Sequence, residues 1–216
     1  MFKIRKLFLT VLILMVSLLP VACAQENGKT SVSFEESKYG TTAVKLVKVK
    51  LSDAEAQNKI NKTLRGEAAA FAKNCRSDDE SSLTSKVTYN QNNLLSIHME
   101  EFVYPKGAVH PTTFWRALTF SLKTGQELEL SQLFKKDANY KERINALIQK
   151  DIAKRDIVWL TPFQSIDEQQ EFYLKDNSLV VYYQLYRYTP YSSGFLEFEI
   201  PYGDVADLLV SDLSKK

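Results

Sequence analysis

The chain has 216 residues, of which 44% are hydrophobic and 25% are charged, a composition typical of folded globular proteins. Its formal net charge is +2, and this falls to −1 when the three basic residues of the N-terminal segment are removed. A charge this close to zero provides no basic field for nucleic acid, which excludes nucleic-acid-binding proteins. The two cysteines, Cys23 and Cys75, are too few for a disulfide framework.

The N-terminal segment has the pattern of an export signal. Basic residues precede an apolar run at residues 7–19, which is too short to span a bilayer, and small residues follow it. We therefore predict a signal peptide at residues 1–24, with cleavage after Ala24, and an exported protein that is periplasmic or secreted. The alternative is a lipobox that ends at Cys23, in which case a lipid on Cys23 anchors the protein to the membrane. Pro20 stands where lipoboxes usually carry Leu, which favours cleavage after Ala24.

The next part of the chain predicts a strand and a helix after a polar start. Residues 25–39 are predicted to be a flexible leader. Apolar residues alternate with lysines at residues 43–51, which indicates a half-exposed strand. Ser52 and Glu55 have the spacing of a capping box, so a helix is expected to begin there and to continue to about Asn74. Its apolar stripe consists of Ile60, Leu64, Ala68 and Phe71.

A meander of strands is predicted for the middle of the chain. Residues 76–85 are polar and predict a loop. Strands follow at residues 87–90 and 94–104, with asparagines between them that suit a hairpin turn. In the second of these strands, alternation places His98 on the face opposite Ile97. A third strand is expected at residues 114–122, and after the turn at Thr124-Gly125-Gln126 the chain is expected to return along it at residues 127–130.

The last third predicts a second amphipathic helix from Tyr140 to about Arg155, a hairpin of strands at residues 172–174 and 179–188, a strand at residues 195–200 and a short closing helix at residues 203–213. These elements predict an α+β fold in which antiparallel meanders are each packed by an amphipathic helix.

Several motifs resemble those of a family of extracytoplasmic domains, the PdaC/RsiV-like family. The motifs are Gly107-Ala108-Val109-His110-Pro111 with Thr124-Gly125-Gln126, the turn from Tyr186 through Pro190-Tyr191 to Gly194, Ile200-Pro201-Tyr202, and Asp207-Leu208-Leu209. Together they cover most of residues 40–210. The resemblance implies a PdaC-like N-terminal module at residues 40–105 and an RsiV-like C-terminal module at residues 106–216. Two positions depart from the pattern, because Ala108 replaces a glycine and the Asp expected before Thr124 is absent.

The resemblance implies non-enzymatic recognition at the cell envelope, with peptidoglycan or a lysozyme-like muramidase as the partner. Tyrosine rings have apolar faces and polar tips that suit such contacts. The candidate ligand-binding residues are Tyr104, Gly107, His110, Pro111, Tyr186, Tyr188 and Tyr191. A competing interpretation is that the tyrosines are core residues and that His110 only holds its loop by a hydrogen bond to a neighbouring carbonyl. The sequence leaves the oligomeric state open.

No catalytic pattern is recognisable in the sequence. The two histidines, His98 and His110, lack the spacing of a zinc site, so we predict neither a metal nor a cofactor. Glu100 and Glu101 are neighbours in a predicted strand and point to opposite faces, so they cannot act as an acid/base pair. We therefore predict a protein that is not an enzyme. The alternatives are a cell-wall glycan hydrolase or deacetylase and a structural envelope lipoprotein.

Overall fold

The computed structural model describes residues 30–213 and confirms the α+β class. In chain order its elements are β1 (Ser31–Tyr39), β2 (Thr42–Lys50), α1 (Ala54–Asn74), β3 (Glu80–Gln91), β4 (Leu94–Tyr104), β5 (Thr112–Ser121), α2 (Tyr140–Ile152), β6 (Phe172–Leu174), β7 (Ser178–Tyr183) and β8 (Leu196–Pro201). The predicted signal peptide and Cys23 lie outside the described residues. No helix in residues 30–213 is long and apolar enough to cross a membrane.

The first sheet has the strand order β1-β2-β3-β4-β5 and is antiparallel except between β2 and β3. These two strands run parallel because α1 connects them as a crossover. The predicted stripe of α1 is buried against one face of the sheet, with Ile60 and Leu64 fully enclosed. The helix begins one residue later than the capping box predicted, since Asp53 is the N-cap and its carboxylate accepts from the Ala56 amide at 2.8 Å.

The second sheet has the order β6-β7-β8 and lies between the first sheet and α2. One of its faces packs against Ile144 and Ile148 of α2. On the other face Tyr173, Val180 and Tyr182 pack against β5 of the first sheet. The layers therefore follow the order α1, first sheet, second sheet, α2.

Two segments predicted to be irregular are strands. Residues 25–39 were expected to form a flexible leader, whereas Ser31–Tyr39 pairs with β2 along its whole length. The predicted loop at residues 76–85 contains the first half of β3. Its serines are buried because they find partners: the Ser81 hydroxyl bonds Thr42 at 2.8 Å, and the Val47 amide donates to the Ser85 hydroxyl at 2.7 Å. Polar residues in a strand interior conceal the period-two pattern.

Three predicted elements are shorter in the structure. The strand predicted at residues 179–188 ends at Tyr183, because Tyr186 adopts a left-handed backbone with φ of 65°. The return at residues 127–130 makes a single bridge between Phe120 and Glu127. The closing helix is reduced to a 3₁₀ turn at Tyr202–Asp204. The module boundary at residues 105/106 stays a prediction, and β5, which follows it, is the last strand of the first sheet.

Candidate functional site

Three of the candidate residues lie side by side, and we call His110, Tyr186 and Tyr191 the ring cluster. The centroids of the His110 and Tyr191 rings are 4.6 Å apart, with 32° between their planes. Those of Tyr186 and Tyr191 are 5.7 Å apart, with 31° between planes. Tyr191 is half-buried between the other two, while His110 is exposed and Tyr186 is 53% exposed. Two segments about 80 residues apart thus present one aromatic surface.

The local backbone explains how the loops meet. Gly107, at φ of 83°, follows Pro105 in a turn closed by the Ala108 amide, which donates to the Pro105 carbonyl at 2.9 Å. His110 Nδ1 donates to the Pro111 carbonyl at 2.8 Å, as the competing interpretation expected. Since a carbonyl only accepts, Nδ1 carries the proton and Nε2 is left as an acceptor in the neutral ring. The Tyr191 hydroxyl donates to the same Pro111 carbonyl at 3.3 Å.

Two candidate tyrosines do not join the ring cluster. Tyr188 is half-buried, and its nearest ring is that of Tyr183, 4.8 Å away at an angle of 89°. It therefore packs on the core of the second sheet. Tyr104, at the end of β4, is 38% exposed and makes no ring contact with the cluster. Tyr182, in β7, is fully buried between the two sheets.

The loop that carries Tyr186 is fixed to the first sheet by a side chain. The Trp115 amide donates to Gln184 Oε1 at 3.0 Å, and Gln184 Nε2 donates to the Trp115 carbonyl at 2.6 Å. Gln184 thus pairs with the backbone of β5 as a neighbouring strand residue does. Nε2 also donates to Glu171 at 3.0 Å, and the Tyr182 hydroxyl donates to the same carboxylate at 3.2 Å.

A polar groove of about 550 Å³ lies beside this loop and was not predicted from the sequence. Residues 167–171 form one wall and residues 182–184 with Arg187 form the other. The carboxylates of Asp167, Glu168 and Glu171 are among the lining groups. The groove could not be foreseen because 167–171 is an irregular segment whose position depends on tertiary packing.

The buried imidazole of His98 is unsuited to binding or catalysis. It is 4% exposed and lies between aromatic rings, with that of Trp115 4.6 Å away and that of Tyr173 5.5 Å away. Burial, with a smaller contribution from Lys86, lowers the pKa of His98 to about 4, so the ring is neutral at pH 7. Residues 30–213 contain no group of three or more side chains placed to hold a metal ion.

A second cluster of charges, on the other face of the first sheet, surrounds Arg116. Its guanidinium pairs with Glu67 at 3.3 Å and with Glu127 at 3.7 Å. Nearby, burial and repulsion by Glu67 raise the pKa of Glu101 to about 7, although Arg116 opposes the shift. Glu101 therefore has a partly protonated carboxyl at neutral pH.

Replacing Glu101 with Gln should make stability less dependent on pH. The folded protein holds the Glu101 proton between its ordinary pKa near 4.5 and its folded pKa of about 7, so stability falls as pH rises through this interval. We expect Glu101→Gln to match the wild type at pH 5 and to exceed it by about 1–2 kcal/mol at pH 8 in urea unfolding, a gain that partial solvent screening limits. Glu100→Gln, an exposed neighbour on the opposite face, should show no such divergence. If the free energies of unfolding of the wild type and Glu101→Gln changed in parallel with pH, the expectation would be refuted.

Residues 131–203 match the sequence profile of DUF3298, a protein family of unknown function. The chain carries an RsiV/DUF3298-like domain. The anti-sigma-V factor RsiV of Bacillus subtilis is 34% identical to the chain in an alignment of 110 positions that covers 45% of this chain and 38% of RsiV. The chain therefore spans well under half of the length of that relative.

Solved structures support the same assignment at the level of the fold. A DUF3298-family protein of Bacteroides fragilis aligns with a TM-score of 0.59 and 18% identity, over 86% of this chain and 95% of its own. A DUF3298-family protein of Pseudomonas aeruginosa aligns with a TM-score of 0.56 and 16% identity, over 86% of this chain and 96% of its own. The α+β arrangement described above is thus shared along most of both relatives. One loop of the ring cluster, residues 184–193, lies within the part of the chain that matches the DUF3298 profile.

Proposed function

We propose that the protein acts outside the cytoplasm as a non-enzymatic recognition protein, and that the ring cluster binds a lysozyme-like muramidase. The likeness to RsiV supports a role at the envelope. The export signal predicted at residues 1–24 supports the compartment. The observation that carries the proposal is the gathering of His110, Tyr186 and Tyr191 into one accessible aromatic surface.

Tyr186 is the residue on which the proposal depends most. The positive φ of a tyrosine raises the free energy of the folded state by about 1–2 kcal/mol relative to an ordinary backbone conformation. Tyr186 has this backbone although its ring is exposed. Strained residues of this kind concentrate at binding sites, where the surrounding structure holds them. A ring with 53% exposure contributes little to the core, and this supports a role for Tyr186 in contact with a partner.

Replacing Tyr186 with Asn should separate binding from folding. Asn tolerates the left-handed backbone, so we expect the free energy of unfolding to stay the same or to rise by about 1 kcal/mol. Loss of a central aromatic contact should weaken lysozyme binding by about tenfold or more in calorimetry. Phe34→Asn is the matched control, because Phe34 is also 53% exposed but lies on β1. If both variants weaken binding equally, or neither does, the ring cluster is not the contact surface.

Peptidoglycan is a second candidate ligand, favoured by the geometry of the rings. Planes inclined by only 31° to 32° present adjacent flat faces of the kind on which sugars stack. Calorimetry with soluble muropeptides tests it beside lysozyme, and Tyr191→Ala should reduce the response to whichever ligand binds. No saturable response to either ligand at micromolar protein would refute the proposal. Release of acetate from a chitin oligomer that depends on a divalent metal would instead support a deacetylase.

A further inference from the structure

The geometry points to the polar groove as a second binding site, one that takes the cationic side chain, lysine or arginine, of a basic protein partner. The groove is formed by residues 167–171 on one side and by residues 182–184 with Arg187 on the other. It adjoins the ring cluster because Tyr186 lies between Gln184 and Arg187 in the same loop. The inference rests on the proposed function only in that one partner is expected to occupy both sites.

Two buried polar atoms in the groove wall lack hydrogen-bond partners among the described residues. They are Gln170 Oε1 and the Tyr183 hydroxyl, and both side chains belong to residues that are only 5% exposed. Gln170 Nε2 donates to the carbonyls of Glu171 at 3.1 Å and Tyr182 at 3.2 Å, which fixes the orientation of the amide. The unpartnered atom of Gln170 is therefore an acceptor. A buried acceptor of this kind is satisfied when a donor enters the groove.

The charged groups of the groove also favour a cation. Among residues 30–213, neither Asp167 nor Glu171 forms an ion pair with a basic side chain. The Glu171 carboxylate accepts hydrogen bonds from Tyr182 and Gln184. Glu168 pairs with Lys141 at the rim. Arg187 lies over the ring of Tyr188, 5.6 Å from its centroid. Two carboxylates without a basic partner, beside a buried acceptor without a donor, match the positive charge and donor hydrogens of an ammonium or guanidinium group.

The charge of the residues around the groove also favours a basic partner protein. Residues 156–207 contain nine acidic and two basic side chains, a net charge of −7 in a chain whose total is +2. Lys141 and Arg143 pair with two of these acids, Glu168 and Asp207, which leaves an acidic excess of five that attracts a basic protein and repels an acidic one. It also disfavours ligands whose main charged groups are carboxylates.

The experiment titrates the full exported chain with N-acetyl-arginine amide and, separately, N-acetyl-lysine amide, while NMR follows the side-chain amides of Gln170 and Gln184. We expect saturable shifts that weaken as salt rises. The double variant Asp167→Asn with Glu171→Gln should weaken the affinity by about fivefold to tenfold. Asp156→Asn, an exposed acid outside the groove, should leave it unchanged. N-acetyl-asparagine amide serves as the uncharged probe.

The outcomes separate this inference from the proposed function. No saturable shift with either cationic amide would mean that the groove holds solvent only, and would overturn the inference even if lysozyme binds. Equal binding of the uncharged amide, or an unchanged affinity in the double variant, would also overturn it. If the protein bound the cationic amides saturably but did not bind lysozyme, the groove would be confirmed as a site for cationic side chains, and the muramidase would be refuted as the partner.

Discussion

Replacing Gly125 with alanine is expected to destabilise the protein by about 2–5 kcal/mol. Two costs combine at this position. Gly125 has φ of 70°, where a side chain is strained. An added Cβ would also lie 2.5 Å from the carbonyl oxygen and 2.7 Å from the Cα of Ala56, in the first turn of α1. Both neighbours are backbone atoms and cannot rotate away.

The contact explains why a turn between strands contains this glycine. The turn at residues 124–126 follows β5, and the Gly125 amide donates to the Ser121 carbonyl at 2.8 Å. The turn lies directly against α1, so only a residue without a side chain permits the approach.

Gly107→Ala supplies the control for the Gly125 prediction. Gly107 has φ of 83°, but an added Cβ would meet no atom within 4 Å, so only the backbone cost of about 1–2 kcal/mol is expected. The measurement is the free energy of unfolding in urea for both variants. The difference between them isolates the contact with Ala56, and equal losses would show that α1 moves away at little cost.

Replacing Asn61 with leucine is expected to cost about 2–5 kcal/mol, although leucine has a similar size and is more hydrophobic. Asn61 lies on the buried side of α1 with 6% exposure. Its Oδ1 accepts from the Val49 amide at 2.9 Å, and its Nδ2 donates to the Val49 carbonyl at 2.8 Å. Leucine would leave the amide and carbonyl of Val49 buried without partners, at about 1–3 kcal/mol each.

The need for this side chain follows from the strand pairing. Strand β2 pairs with β3 only at Ala43–Lys45, so Val49 lies beyond the end of that ladder. The Asn61 amide takes the place of the missing strand.

Urea unfolding measures the loss in Asn61→Leu, and hydrogen exchange at the Val49 amide gives a local readout that should accelerate most. Asn58→Leu is the matched control, because Asn58 lies on the exposed face of the same helix. An Asn61→Leu protein as stable as the wild type, with Val49 still protected, would contradict the account.

Regular periodicity allowed much of the fold to be predicted from the sequence. The buried stripe of α1 was correct, and so was the alternation in β4 that separates Ile97 from His98. Prediction failed where polar side chains are buried because partners from other elements satisfy them. The polar Ser81 and Ser85 obscured the start of β3. No pattern in the sequence indicated that the Asn61 side chain bonds to the backbone of β2.

The candidate site was predictable in part, from the motifs of the family resemblance and not from periodicity. The motifs around His110 and Tyr191 named two loops that do meet. The backbone of Tyr186 was not foreseeable, since a tyrosine rarely adopts positive φ and no local pattern announces it. Tyr188 packs on the core of the second sheet and not in a strand, because β7 ends at Tyr183, five residues before the predicted end. The polar groove depends on the irregular segment 167–171, which no periodicity describes.

The double hydrogen bond between Gln184 and Trp115 has a bearing on how fast and how tightly a partner could engage. It fixes the loop that carries Tyr186 to β5 at the edge of the first sheet, so the loop is preorganised before a partner binds. A preorganised surface loses little conformational entropy on association, and its affinity can come from few contacts. Loss of these two hydrogen bonds should therefore lower the association rate and shorten the lifetime of a complex, although no ring of the ring cluster is changed.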